Sequence, residues 1–162
     1  MEKIVKLIES DLKKLETSVD RLITTKVGFI KEIINYIIKS GGKRMRPILV
    51  LLSSKLCGYK GKDSIPLAAI VEFVHTATLL HDDVVDNAYE RRGFFSLNAL
   101  WKNKIAVLVG DFLLTKGLQV ALETNNYRHL HTVSMAVQQM AEGELLQMEK
   151  ARRLDIDESI YY

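Results

Sequence analysis

The chain has 162 residues, 48% of them hydrophobic and 27% charged, which is enough for one domain with a sizeable core and too apolar for a disordered chain. A net charge of +3, from 23 Lys+Arg against 20 Asp+Glu, is too slight to argue for nucleic acid, and a lone cysteine, Cys57, excludes a disulfide framework. The charged N-terminus, MEKIVKLIESDLKKLE, has no signal-peptide core, and no uncharged stretch approaches the ~18–20 residues of a membrane span; the expectation is a soluble, cytoplasmic protein with no transmembrane segment and no nucleic-acid partner.

Two prolines, and glycines that fall between periodic segments, suit an all-α fold. Ile4, Ile8, Leu12, Leu15, Val19 and Leu22 recur at steps of four and three, the apolar stripe of a first helix. A second is expected over about 27–39, with Ile30, Ile33, Ile34, Ile37 and Ile38 inward. GGKRMRP (41–47) breaks it, and Pro47 can occupy the first turn of a third helix ending near Cys57-Gly58. A long helix follows over about 64–87, then a loop over 93–98, then helices over about 104–123 and 127–153. No repeat, low-complexity segment or linker divides the chain, so residues 1–162 read as one domain. At the end, LDIDESIYY carries an N-cap candidate, Asp157, with Glu158 in the first turn, a helix start with no helix behind it. A frayed tail explains this, but a chain cut short of its natural end explains it better.

The chemistry concentrates in HTATLLHDDVVDNAYERRG, residues 75–93. On a helix Asp82 and Asp86 are four residues apart and Asp83 and Asp86 three apart, so the carboxylates share a face and repel unless a cation joins them. Oxygen ligands of this kind suit Mg²⁺, which keeps several waters and shares its shell with substrate phosphates. A solvated acidic patch is the simpler explanation. Against it, the aspartates follow the apolar run VEFVHTATLL and precede Arg91 and Arg92. In GGKRMRP, paired glycines let backbone approach a ligand, and Lys43, Arg44 and Arg46 offer donors matched to phosphate. Together the clusters point to a diphosphate held through metal and another held by bare cations.

GGKRMRP, HTATLLHDDVVD, RRG, NALWKNKIAVLVGDFLL and MAEGELLQ come in the order and spacing of the trans-isoprenyl diphosphate synthases. Over residues 20–162 the chain resembles the bacterial octaprenyl- and solanesyl-type enzymes. The resemblance implies an antiparallel helix bundle of the isoprenoid synthase type, here incomplete, with residues 1–162 as the N-terminal part of a single domain. Family members run longer, and their second half carries a further aspartate-rich motif absent here. The chain alone is therefore expected to have little condensation activity. The resemblance further implies that Asp82 and Asp86 ligate Mg²⁺ with Asp83 in support, and that Arg91 holds the allylic diphosphate. Lys43, Arg46, His75 and Arg92 would hold isopentenyl diphosphate. A homodimer is expected. RRGFFS departs from many relatives, which have proline where Phe95 stands, so the shape of that loop is open.

His75 lies two turns before Asp82, on nearly the same helical side. Below the aspartates Val74 is modest and Ala77 and Thr78 are small, where short-chain relatives place bulky aromatics. The expected product is a medium- or long-chain polyprenyl diphosphate, although small residues can also merely let helices approach. Glu142, Glu144 and Gln147 line the cavity or sit on the polar side of a packed helix. Gly110-Asp111 suggests helix packing or a cap. The alternatives are a short-chain geranylgeranyl or farnesyl synthase and a non-catalytic subunit of a heteromeric synthase; intact DDVVD and RRG disfavour the latter. A terpene cyclase would have no need of GGKRMRP, and an unrelated helical binding protein would have to acquire all five motifs by accident.

Overall fold

A computed structural model describes residues 6–40, 44–91, 94–125 and 127–153. Six helices run through them: α1 (Glu9–Leu22), α2 (Gly28–Ser40), α3 (Met45–Leu56), α4 (Ser64–Val85), α5 (Leu97–Glu123) and α6 (Tyr127–Arg153). The expected all-α class holds, with one addition. Two-residue strands β1 (Glu90–Arg91) and β2 (Phe94–Phe95) pair antiparallel between α4 and α5, Glu90 opposite Phe95 and Arg91 opposite Phe94. The chain divides into two compact units, residues 1–126 and residues 127–162.

In the first unit the apolar periodicities become one core. Ile8 and Leu15 from the first stripe, Ile33 and Ile34 of α2, and Ile48 and Leu51 of α3 pack with Phe73, Ala77 and Leu80 of α4 and Val109 and Leu113 of α5. Each such large side chain contributes about 1.5–3 kcal/mol by leaving water. Leu12, Val19, Leu22, Ile30 and Ile37 pack against this cluster from its edge, as their spacing predicts. Ile4, Asp157 and Glu158 lie outside the described residues. By length and composition α4 and α5 are long and apolar enough to cross a membrane. A few charges interrupt each of them, and in this fold both helices supply the core.

Helix ends follow local chemistry. Gly58 (φ 66°) closes α3 in the left-handed region, with Tyr59 N–H donating to Ser54 O (2.9 Å) and Gly58 N–H to Lys55 O (3.0 Å). Asn87 (φ 51°) does the same for α4, with Ala88 N–H to Asp83 O (2.9 Å) and Asn87 N–H to Val84 O (3.3 Å). Both are Schellman closures, and asparagine tolerates that conformation nearly as well as glycine.

Between β2 and Lys104 the structure corrects the expected loop. Ser96 is extended (φ −67°, ψ 159°) and α5 begins at Leu97. Ser96 Oγ donates to Ala88 O (2.6 Å) and its N–H to Tyr89 O (3.0 Å), so one small polar residue joins the end of the α4 closure to the start of α5. The helix is then interrupted at Lys102 (φ 71°, ψ 156°) and resumes, so the expected start near Lys104 marks the second segment. That backbone region suits glycine alone and costs on the order of 1–3 kcal/mol in a lysine. Lys102→Gly is expected to raise stability by about 1 kcal/mol after allowing for glycine's added chain entropy. Urea unfolding checks this; a lowered midpoint would mean that the lysine side chain stabilises the kink by more than its strain.

The α4 and α5 helices run antiparallel in close contact, and two glycines on α5 make the approach possible. A Cβ at Gly117 would meet Val74 Cγ2 at 3.4 Å, and one at Gly110 would lie 2.3 Å from His81 Nε2. The second unit is described by α6 alone, which buries none of its residues.

Candidate functional site

The structure separates the three aspartates. Asp83 continues the buried stripe of Phe73, Ala77 and Leu80 at steps of four, three and three, and is only 3% exposed. Asp82 is half-buried, while Asp86, capping the C-terminus of α4, is exposed. Asp83 and Asp86 thus differ in environment despite their three-residue spacing, because the helix ends at Val85 and Asp83 belongs to its packed side. Asp82 and Asp86 sit at the negative pole of a 22-residue helix whose last turn holds no basic residue. Carboxylates there are unfavourable unless a cation accompanies them. Among the described residues no three His, Cys, Asp or Glu side chains form a group that could hold a metal ion. Two carboxylates that water can reach still fit Mg²⁺, which needs few protein ligands when phosphate oxygens and waters complete its shell.

Beside this helix end lies a cavity of ≈ 720 Å³, within the usual range for small-molecule sites. Arg46, His75 and Asp83 all line it, together with Arg44. Asp82 and Asp86 do not, so His75 shares this space with Asp83 rather than with Asp82, its neighbour by helical spacing. Phe73, Leu79 and Leu80 form the apolar wall. Arg44 stands in the left-handed region (φ 47°, ψ 39°) as the N-cap of α3, and its Nη1 lies 2.6 Å from Glu16 Oε1 of α1. Both side chains are well exposed, so this pair adds little stability and is easily exchanged for another anion. Lys43 and Arg92 lie outside the described residues; Arg91 is placed by its backbone in β1.

Sequence reading passed over two residues. Tyr36 on α2 donates its hydroxyl to Phe95 O (2.7 Å) and packs edge-on against Phe94 (6.5 Å between ring centroids) and Trp101 (5.4 Å). It fastens the β1–β2 ribbon over the cavity, which Tyr36, Phe94 and Phe95 all line. The ribbon's shape therefore does not need proline at position 95. The available signal was the one aromatic in the isoleucine run IINYII. The other is His81, whose Nε2 lies 3.4 Å from Asp111 Oδ1 and 3.3 Å from Val107 O. Gly110-Asp111 serves helix packing, as expected, and it does so around His81.

Of the residues beneath the aspartates, Val74 and Ala77 are buried and Thr78 is half-buried, its Oγ1 donating to His75 O (2.9 Å). None of the three lines the cavity. Val74 faces Gly117. Glu142, Glu144 and Gln147 are exposed on α6, where Glu142 accepts from Gln138 Nε2 (2.8 Å).

Comparison with known proteins matches this arrangement to a family. A sequence profile of the polyprenyl synthetase family covers residues 27–162. The octaprenyl diphosphate synthase of Escherichia coli (strain K12) is 39% identical over 161 residues, which are 99% of this chain and 50% of that protein. A decaprenyl diphosphate synthase from Rhodobacter capsulatus superposes with a TM-score of 0.91 at 40% identity, covering 99% of this chain and 50% of its own. A polyprenyl synthase from Caulobacter crescentus CB15, solved in complex with calcium and isoprenyl diphosphate, has a TM-score of 0.91 at 36% identity, over 99% of this chain and 49% of that one. The chain spans about half the length of the relatives it matches.

Proposed function

This chain belongs to the polyprenyl synthetase family, and on that premise we propose that it carries half of a prenyltransferase site which joins an allylic diphosphate to isopentenyl diphosphate, giving a medium- or long-chain polyprenyl diphosphate. The single observation that carries this reading is one apolar-walled cavity holding Arg46, His75 and Asp83, next to the paired carboxylates Asp82 and Asp86. Residues 1–162 are the N-terminal part of one isoprenoid synthase domain in this reading. The protein is cytoplasmic and works as a homodimer.

Each group has a task in that reaction. Asp82 and Asp86 would hold Mg²⁺, which would supply charge neutralisation to the departing diphosphate; the Caulobacter relative was solved with a divalent cation and a prenyl diphosphate together. Arg91 steadies the allylic diphosphate as its C–O bond breaks. Arg46 and His75, with Lys43 and Arg92, fix the diphosphate of the second substrate so that its alkene carbon faces the allylic cation. Phe73 and Leu80 keep water from that cation. Loss of a proton then completes a chain one isoprene unit longer.

Arg46→Ala tests the division of labour. In a catalytically competent protein carrying these residues it should raise KM for isopentenyl diphosphate by at least ~10-fold, the equivalent of one charge-assisted hydrogen bond. KM for the allylic substrate should stay nearly constant. A defect confined to the allylic substrate would overturn the assignment.

A further inference from the structure

On the side of α1 away from the cavity lies an open groove whose charge is predominantly positive. Lys6, Lys13, Lys14, Arg21 and Lys62 line it, against one carboxylate, Glu9. The helix sorts its charges. Glu16 and Asp20 line the cavity, whereas the adjacent Lys13 and Lys14, and Arg21 about two turns on, line the groove with Glu9. Hydroxyls of Ser10, Thr17 and Ser18 stand among the cations. The opposite wall is the entry to α4, with Ile65 and Pro66 beside Lys62.

Apolar residues flank the same region. Lys55 Nζ bonds Leu7 O (2.5 Å), which brings the end of α3 to the start of α1. There Leu7 is 66% exposed and Leu56 is 89% exposed. Two of the cations are paired in turn, Lys13 with Glu9 at 3.0 Å and Lys14 with Asp11 at 3.6 Å, and Asp11 also meets Lys55 at 3.0 Å; such exposed pairs add little stability and exchange readily for another anion. Cations around hydroxyls, bordered by protruding leucines, make a surface that suits anionic headgroups above and acyl chains at the rim.

We propose that this groove docks the protein on an anionic lipid surface, Lys13, Lys14, Arg21 and Lys62 taking headgroup phosphates and Leu7 and Leu56 entering the interface. The choice of lipid over another polyanion rests on the function proposed above, because a polyprenyl diphosphate has to leave water for a bilayer. The groove and the cavity lie on opposite sides of α1, so docking holds the site of synthesis one helix away from the surface that takes the product.

Flotation of a full-length protein carrying these residues, with vesicles of phosphatidylglycerol and phosphatidylcholine, tests this without substrates. Absence of prenyl transfer would therefore not touch the result, and absence of binding would leave the transferase reading intact. That protein should float with vesicles containing about one-third phosphatidylglycerol, release as salt rises, and ignore pure phosphatidylcholine. Lys13→Gln, Lys14→Gln and Lys62→Gln combined should weaken binding at least ~10-fold, given the contribution of each cation near a charged leaflet. Lys26→Gln, Lys31→Gln and Lys104→Gln combined remove the same charge elsewhere and should change it less than about twofold. Equal losses in the two variants, equal binding to neutral vesicles, displacement by millimolar glycerol phosphate, or tighter binding to an RNA oligonucleotide would each overturn the proposal.

Discussion

Asp82→Ala is expected to lower turnover with Mg²⁺ at least ~10²-fold, because charge stabilisation of the leaving diphosphate through metal is worth several kcal/mol. The same substitution should cost little stability, at most about 1 kcal/mol, because the charge removed stands at an unfavourable helix end. Asp82 is half-buried at the C-terminal pole of α4 with Asp86 one turn on, so its removal relieves repulsion both from the helix end and from a like charge. Parallel turnover and thermal melts separate this role from a structural one. Near-normal turnover would remove Asp82 from the site, and a large fall in melting temperature would mean that it holds the fold.

The second large effect concerns product length. Thr78 is half-buried one turn beneath Asp82, so a tyrosine there has room to lie along the helix. Thr78→Tyr in an active protein carrying these residues should shift products toward short chains. Ala77→Tyr should do so too, but Ala77 is 1% exposed within the core. Overpacking at that position costs about 1–3 kcal/mol, so the melting temperature should fall as well. Chromatography of radiolabelled products decides between the faces. Unchanged lengths in both variants would mean that the chain grows elsewhere, since none of Val74, Ala77 and Thr78 lines the cavity described above.

Helices were legible because their evidence is local. The α1 stripe, the Gly58 closure and the end of α4 near Asn87 each need only a few consecutive residues. The loop over 93–98 was misread because Ser96, Leu97 and Asn98 acquire their structure from distant partners: Ser96 from Ala88 and Tyr89, and Asn98 from Asp83 O, to which its Nδ2 donates at 3.0 Å. Short-range patterning is blind to such bonds. The site divides the same way. That DDVVD and GGKRMRP belong together could be suspected from residue chemistry, and the cavity joins Arg46 to His75 and Asp83. Which aspartate turns inward was in fact readable, since Asp83 extends the apolar stripe of α4, but its charge argued for grouping it with Asp86. Tyr36 stands out as the one aromatic in IINYII, but its role and that of His81 were not readable, because each acts through a contact to another element.

The contact of His81 with Gly110 also bears on how such a sequence can drift. The ring occupies the volume in which a Cβ at position 110 would stand, 2.3 Å from Nε2, so the two positions are not free to change independently. A side chain gained at 110 has to be matched by a smaller or turned one at 81, the residue next to Asp82. The order of change is thereby constrained: a smaller residue at 81 can come first, whereas a side chain at 110 comes with it, after it, or with the His81 ring turned aside.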